Sequence, residues 1–144
     1  KGTKRPTVEV KRDPNDASEI FNNYSVYYNN YVKEQLRNEE KIIINYNRTL
    51  NLLSPYIQRY TELQGGFNFC IWFNKAFKVT ELELVQILLE KTGVAILTES
   101  AFTLNRPTNK NYFIRFSAAC DTNEYRAALE RMKNCFDQGG IFDD

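Results

Sequence analysis

The stretch Gln64-Gly65-Gly66-Phe67-Asn68-Phe69-Cys70-Ile71-Trp72-Phe73 decides the fold, because the apolar period of the chain changes there. Phe67, Phe69, Ile71 and Phe73 alternate with Asn68, Cys70 and Trp72. Successive side chains of a strand point to opposite faces, so the segment reads as a strand with one face in a core. Gly65-Gly66 stands at its entry, where positive φ or close packing calls for residues without a Cβ. A phosphate cradle is the sharper alternative, but no helix of P-loop type follows and G-x-x-x-x-G-K is absent.

Upstream of this stretch the period is helical. Ile20, Tyr24, Tyr28, Val32, Leu36, Ile43, Tyr46, Leu50 and Leu53 recur in steps of three, four and seven, which traces one stripe. Asp16-Ala17-Ser18-Glu19 has capping-box spacing at its start, and Ser54-Pro55 stops it, since a residue before proline is pushed out of the helical region. At 1.5 Å per residue such a helix is about 55 Å long, more than the width of a globule of this size. Either it breaks near Arg37–Lys41 or it runs beside a domain outside this chain. Residues 1–15, with Gly2, Pro6 and Pro14, read as a linker or tail, in which Thr7–Val10 could pair as a short edge strand. The basic run Lys1, Lys4, Arg5, Lys11 and Arg12 against Glu9 reads as solvated.

Downstream, Thr80-Glu81-Leu82-Glu83 is a second capping box, opening a helix through about Thr92 that Gly93 ends. Val94–Leu97 reads as a short strand, Thr98–Lys110 as a loop and Asn111–Ser117 as another strand. Asp121-Thr122-Asn123-Glu124 is a third box. It starts a helix with Tyr125, Leu129, Met132 and Phe136 on one face, closed by Gly139-Gly140. The order predicts an α+β fold: a long N-terminal helix and a small, mainly antiparallel sheet covered by helices, forming one domain over residues 16–140.

Composition excludes several chemistries. Lys and Arg number 19 against 18 Asp and Glu, for a net charge of +1, so no overall basic field draws in nucleic acid or an anionic membrane. The sequence holds no histidine, which removes the Ser-His-Asp triad, the HExxH zinc site and the common zinc fingers, and leaves no base to activate a cysteine. Cys70, Cys120 and Cys135 are odd in number and form no C-x-x-C pair, which points to a reducing compartment. No apolar run approaches the ~20 residues of a membrane span, and the polar start does not read as a signal peptide. The expected location is the cytoplasm, with no metal and no membrane partner.

Four motifs in this order resemble the C-terminal small domain of fold-type-I aminotransferases that use pyridoxal phosphate. They are the Gly65–Phe73 strand after a long charged helix, the segment Gly93-Val94-Ala95-Ile96-Leu97-Thr98-Glu99-Ser100-Ala101-Phe102, the strand Tyr112-Phe113-Ile114-Arg115-Phe116-Ser117-Ala118-Ala119, and the closing helix Asn123-Glu124-Tyr125-Arg126-Ala127-Ala128-Leu129-Glu130-Arg131-Met132. The resemblance covers about residues 17–136. It implies that Arg115 clamps the α-carboxylate of an amino-acid or keto-acid substrate. A planar guanidinium offers two parallel donors to a carboxylate, so the residue type fits the role. Tyr112, Ile114 and Phe116 alternate with Phe113, Arg115 and Ser117, which puts Arg115 opposite three apolar residues. The competing reading is a structural ion pair with an Asp or Glu.

The resemblance further implies a large domain upstream that carries the cofactor lysine, a homodimer when full-length, and pyridoxal 5'-phosphate held there. This chain alone is expected to bind no cofactor and to be inactive, and neither Lys110 nor Lys133 lies in a cofactor motif. Thr98-Glu99 departs from the Pro-Gly usual in the family, and Glu99 near the substrate entrance would disfavour acidic substrates. Two other functions share these motifs. One is the ligand-sensing part of a MocR/GabR-type transcription regulator, which meets nucleic acid through a separate domain. The other is an orphan aminotransferase-like interaction domain. Trp72 is expected in an interdomain or core layer, and the tyrosines at 24, 27, 28 and 31 in the core and flanks of the first helix.

Overall fold

The computed structural model describes residues 17–103 and 110–143, with side chains from Ser25 onward. The expected tail at 1–15, its Thr7–Val10 strand, the Asp16 cap and the side chains of Ile20 and Tyr24 lie outside the described residues. The chain divides into two units, residues 1–39 and 40–144. Within the first, α1 (Ala17–Leu52) begins and carries exposed apolar side chains, with Val26, Tyr28 and Leu36 each more than half accessible. Tyr27 is exposed as well, so the tyrosines of this segment do not form a core among the described residues. The helix is continuous through Arg37–Lys41, the place where a break was one of two expectations.

In the second unit, α1 ends at Leu52 and a short 3-10 turn, Ser54–Tyr56, carries the proline. Then come β1 (Ile57–Tyr60), β2 (Asn68–Phe73), α2 (Glu81–Thr92), β3 (Leu97–Thr98), β4 (Ile114–Ser117) and α3 (Thr122–Asp137). The strands lie in the order β1-β2-β4-β3, and all three pairings are antiparallel. The fold is α+β as expected from the element order.

The turn before β2 behaves as the two glycines predict. Gly65 and Gly66 sit at φ 60° and 85°, in the left-handed region that a Cβ disfavours. They close a hairpin whose first strand, β1, the hydrophobic pattern did not signal. Thr80 caps α2 with the reciprocal box to Glu83, and Gly93 ends it in the left-handed conformation. Asp121 caps α3 by accepting from the Asn123 and Glu124 amides. Arg131 of α3 donates to the Thr92 carbonyl at 2.8 Å, so it satisfies one of the carbonyls that the last turn of α2 leaves unpaired. The expected Val94–Leu97 strand is shifted. The paired residues are Leu97 and Thr98, because Leu97 faces Arg115 and Thr98 faces Ile114 across the ladder.

One face of the sheet is the core. Phe69, Ile71 and Phe73 of β2 and Ile114 and Phe116 of β4 are buried with Leu84 and Leu88 of α2, and with Tyr125, Leu129, Met132 and Phe136 of α3. An aromatic stack extends it. Phe77 lies between Tyr112 at 4.4 Å and Phe142 at 4.9 Å. The tail after Gly140 folds back to reach this stack, with Lys78 N donating to Ile141 O and Asp143 N to Ala76 O. Ile141 and Phe142 are therefore core residues, and the packed region continues past residue 140.

The face that α1 turns to this core overlaps the stripe read from hydrophobicity, since Tyr46, Leu50 and Leu53 pack there, but it is not centred on it. Ile43 is exposed, whereas Asn45, Thr49 and Leu53, four residues apart, are fully buried. Asn45 Nδ2 donates to Ala118 O and Cys120 O, each at 2.9 Å. Those carbonyls belong to the connection between β4 and α3, where no ladder satisfies them, so a buried amide supplies donors to them. Thr49 Oγ1 donates to Asn45 O at 2.7 Å, which leaves it to accept from the Tyr125 hydroxyl at 2.8 Å.

Burial pushes the Tyr125 hydroxyl up to about 12, and it raises the Tyr112 hydroxyl as well. A tyrosine raised in the folded state contributes stability that is complete below pH 10 and is lost as the pH climbs towards the folded value. Stability is therefore expected to be flat from neutral pH to about pH 10 and to fall between about pH 10 and 12. Urea midpoints measured across that range check this. A midpoint unchanged at pH 11.5 would show that neither hydroxyl ionises with a penalty.

Candidate functional site

The second face of the sheet is the chemical one. β4 is flanked by β2 and β3, and its alternation sends Ile114 and Phe116 into the core while Arg115 rises on the other side. The register places Cys70 of β2 and Leu97 of β3 directly opposite Arg115. Around it lie three rings. Trp72 packs against Phe113 with centroids 5.1 Å apart, and Phe113 stacks on Phe102 at 6.2 Å. The Arg115 guanidinium sits over the Phe102 ring, 4.7 Å from its centroid, an attraction between a cation and the negative face of the ring.

Two ion pairs occur among the described residues, Arg37 with Glu34 and Lys133 with Asp137, and neither includes Arg115. A half-buried guanidinium with an aromatic ring below it, and no carboxylate within ion-pair distance among the described residues, keeps its hydrogen-bond donors available for a planar anion. The structural ion pair that the sequence left open thus finds no partner among the described residues. Trp72 belongs to this open face and not to the core. It is half-buried, and the Arg59 guanidinium lies 3.6 Å from its ring centroid. Arg59 was missed because β1 was missed. The Gly65-Gly66 turn is the signal that could have found it, since a tight turn before one strand calls for a partner strand before the turn.

Two further groups complete the surroundings of Arg115. Cys70 is half-buried, and its thiol is raised by burial, then lowered by Arg115 and raised again by Glu99. Glu99 opens a short 3-10 turn (Glu99–Ala101) that carries Phe102, and its amide donates to Phe113 O at 3.1 Å. Glu81 of α2 accepts from the Ser100 amide at 2.9 Å and so anchors that turn. Cys120 is exposed, Cys135 is buried, and all three cysteines are free. Among the described residues no group of His, Cys, Asp and Glu could hold a metal ion, and no helix is long and apolar enough to cross a membrane.

Pyridoxal phosphate requires a lysine for its Schiff base and an acidic or basic partner for its ring nitrogen. Among the described residues every lysine is exposed except the half-buried Lys133, which is ion-paired with Asp137 at 2.8 Å. Lys110 donates to the Lys78 carbonyl on the surface. Among the described residues these lysines do not fit the cofactor.

The architecture is that of an α+β domain with helices on one face of a four-stranded antiparallel sheet and an arginine-bearing second face. No family model matches the chain, and no curated protein matches it. Among solved structures it is similar to an aminotransferase from Mycobacterium tuberculosis, with a TM-score of 0.58 and 24% identity over 74% of this chain. The likeness spans 27% of that aminotransferase and shows that the two share a fold over this region.

Proposed function

We propose that this chain is the small domain of an aminotransferase-like protein, in which it recognises the substrate carboxylate through Arg115 and closes over a cofactor held elsewhere. The observation that carries the reading is Arg115 itself, held on an interior-flanked strand over Phe102, without a carboxylate partner among the described residues. The shared fold with a solved aminotransferase supports it. The role assigned to the chain is to bind and orient: two parallel N–H donors fix a carboxylate in one plane, which a point charge cannot do. Pyridoxal phosphate would supply the amino-group chemistry from the large domain, and nothing in the role of this chain requires it to hold the cofactor.

Arg115→Ala is the test. In this chain the substitution is expected to change unfolding stability by less than about 1 kcal/mol, the scale of an exposed cation–π contact. In the full-length protein it should weaken amino-acid binding by about 1.5–3 kcal/mol, the scale of a charge-assisted hydrogen bond, and Arg115→Lys should not restore it. Calorimetric titration with amino acids reads the second effect. Unchanged binding, or unfolding of the domain on substitution, would make Arg115 an architectural residue.

A further inference from the structure

The ladder between β3 and β4 does not stop at Thr98. Leu97 faces Arg115, Thr98 faces Ile114, and the Glu99 amide donates to Phe113 O, which continues the same antiparallel register by one residue. Side chains alternate along a strand. Thr98 is buried with Ile114 on the core side, and Leu97 is exposed on the Arg115 side. Glu99 therefore leaves the backbone on the Arg115 side, next to Phe113. It is diagonal to Arg115 across the strand pair, a spacing of about 7–8 Å between Cα atoms. The Cys70 thiol, on that face, feels both charges, the guanidinium in one sense and the carboxylate in the other.

No ion pair joins Glu99 to Arg115 among the described residues. The face thus presents Arg115 and Glu99 side by side and unjoined, over a floor of Phe113, Phe102 and Trp72, with Arg59 as a second cation stacked on Trp72 at the β1 side. The Glu99 backbone is held at both ends of its turn. Its amide is bonded to β4, its carbonyl accepts from Thr103, and the next amide is bonded to Glu81 of α2. The backbone that carries this carboxylate is therefore fixed in place beside β4.

Resting on the proposed carboxylate role of Arg115, we infer that Glu99 sets the substrate class of the site: it selects amino acids with a cationic side chain and rejects dicarboxylates. A ligand with a carboxylate at one end and an ammonium at the other satisfies both charges, while the apolar middle of its chain covers the aromatic floor. A second carboxylate would instead meet Glu99 at short range in partly desolvated surroundings, where like charges repel more strongly than in water.

The experiment compares lysine, norleucine and glutamate as ligands of the full-length protein by titration calorimetry, in the native form and in Glu99→Gln, Glu99→Lys and Arg115→Ala. The native protein is expected to rank lysine above norleucine above glutamate. Glu99→Gln should lower the lysine-to-glutamate affinity ratio by about tenfold, the scale of one lost charge-assisted contact, and Glu99→Lys should reverse the ranking. A ratio unmoved by both Glu99 variants, while Arg115→Ala weakens all three ligands, overturns the specificity role and leaves the carboxylate role standing. Binding that is absent in the native protein or untouched by Arg115→Ala overturns the carboxylate role, and this inference with it.

Discussion

Phe77→Ala is expected to destabilise the unit formed by residues 40–144 by about 3–5 kcal/mol, the range for removing a fully buried phenylalanine. Phe77 is completely inaccessible and touches three other rings, those of Tyr112, Phe142 and Phe73. Truncation leaves a void between them that cannot collapse, because Tyr112 is tied through its hydroxyl to the Val79 carbonyl and Phe142 is held by the returning tail. Domains of this size are stable by only about 5–15 kcal/mol, so the loss is a large fraction of the whole. Urea unfolding followed by the single tryptophan, Trp72, measures it. With a slope of roughly 1–3 kcal/mol per molar, the midpoint should fall by at least about 1 M. A loss below about 1 kcal/mol would mean that the stack is loosely packed.

Asn45→Ala should cost about 1–3 kcal/mol, because it strands the Cys120 carbonyl and removes one of the two donors to the Ala118 carbonyl, which keeps the Cys120 amide. Asn45→Leu separates hydrogen bonding from packing. It restores the lost volume but supplies no donor, so it should remain within about 1 kcal/mol of Asn45→Ala, since the lost hydrogen bonds dominate the loss. Native-like stability of Asn45→Leu would show that the amide contributes nothing there. One detail tempers the magnitude: Asn45 Oδ1 is buried with no hydrogen-bond partner, so the native side chain already carries some desolvation cost.

Asn45 also shows where sequence reading reaches its limit. The apolar period of α1 included Leu53, which is fully buried, and Ile43, which is exposed, but it passed over Asn45 and Thr49, both fully buried. Nothing local signals this, because the carbonyls that select an amide lie 73 and 75 residues away in the chain. The same holds for β1, whose residues alternate only weakly, and for Phe142, which is core because a bridge to Phe77 draws the tail inward. Within α2 and α3 the opposite is true. Thr80, Gly93 and Asp121 act on amides and carbonyls within four residues, so their caps were readable.

The sequence by itself determined the period-two strand Asn68–Phe73, the boundaries of α2 and α3, the α+β order, and the side of β4 on which Arg115 emerges. These rest on interactions within a few residues and on alternation along one strand. Only the tertiary structure decided that no described carboxylate pairs with Arg115, that Phe102 lies under its guanidinium, and that Glu99 leaves the backbone on the same face. Each of those depends on which strands become neighbours and in what register, and a shift of one residue between β3 and β4 would send Glu99 to the opposite face.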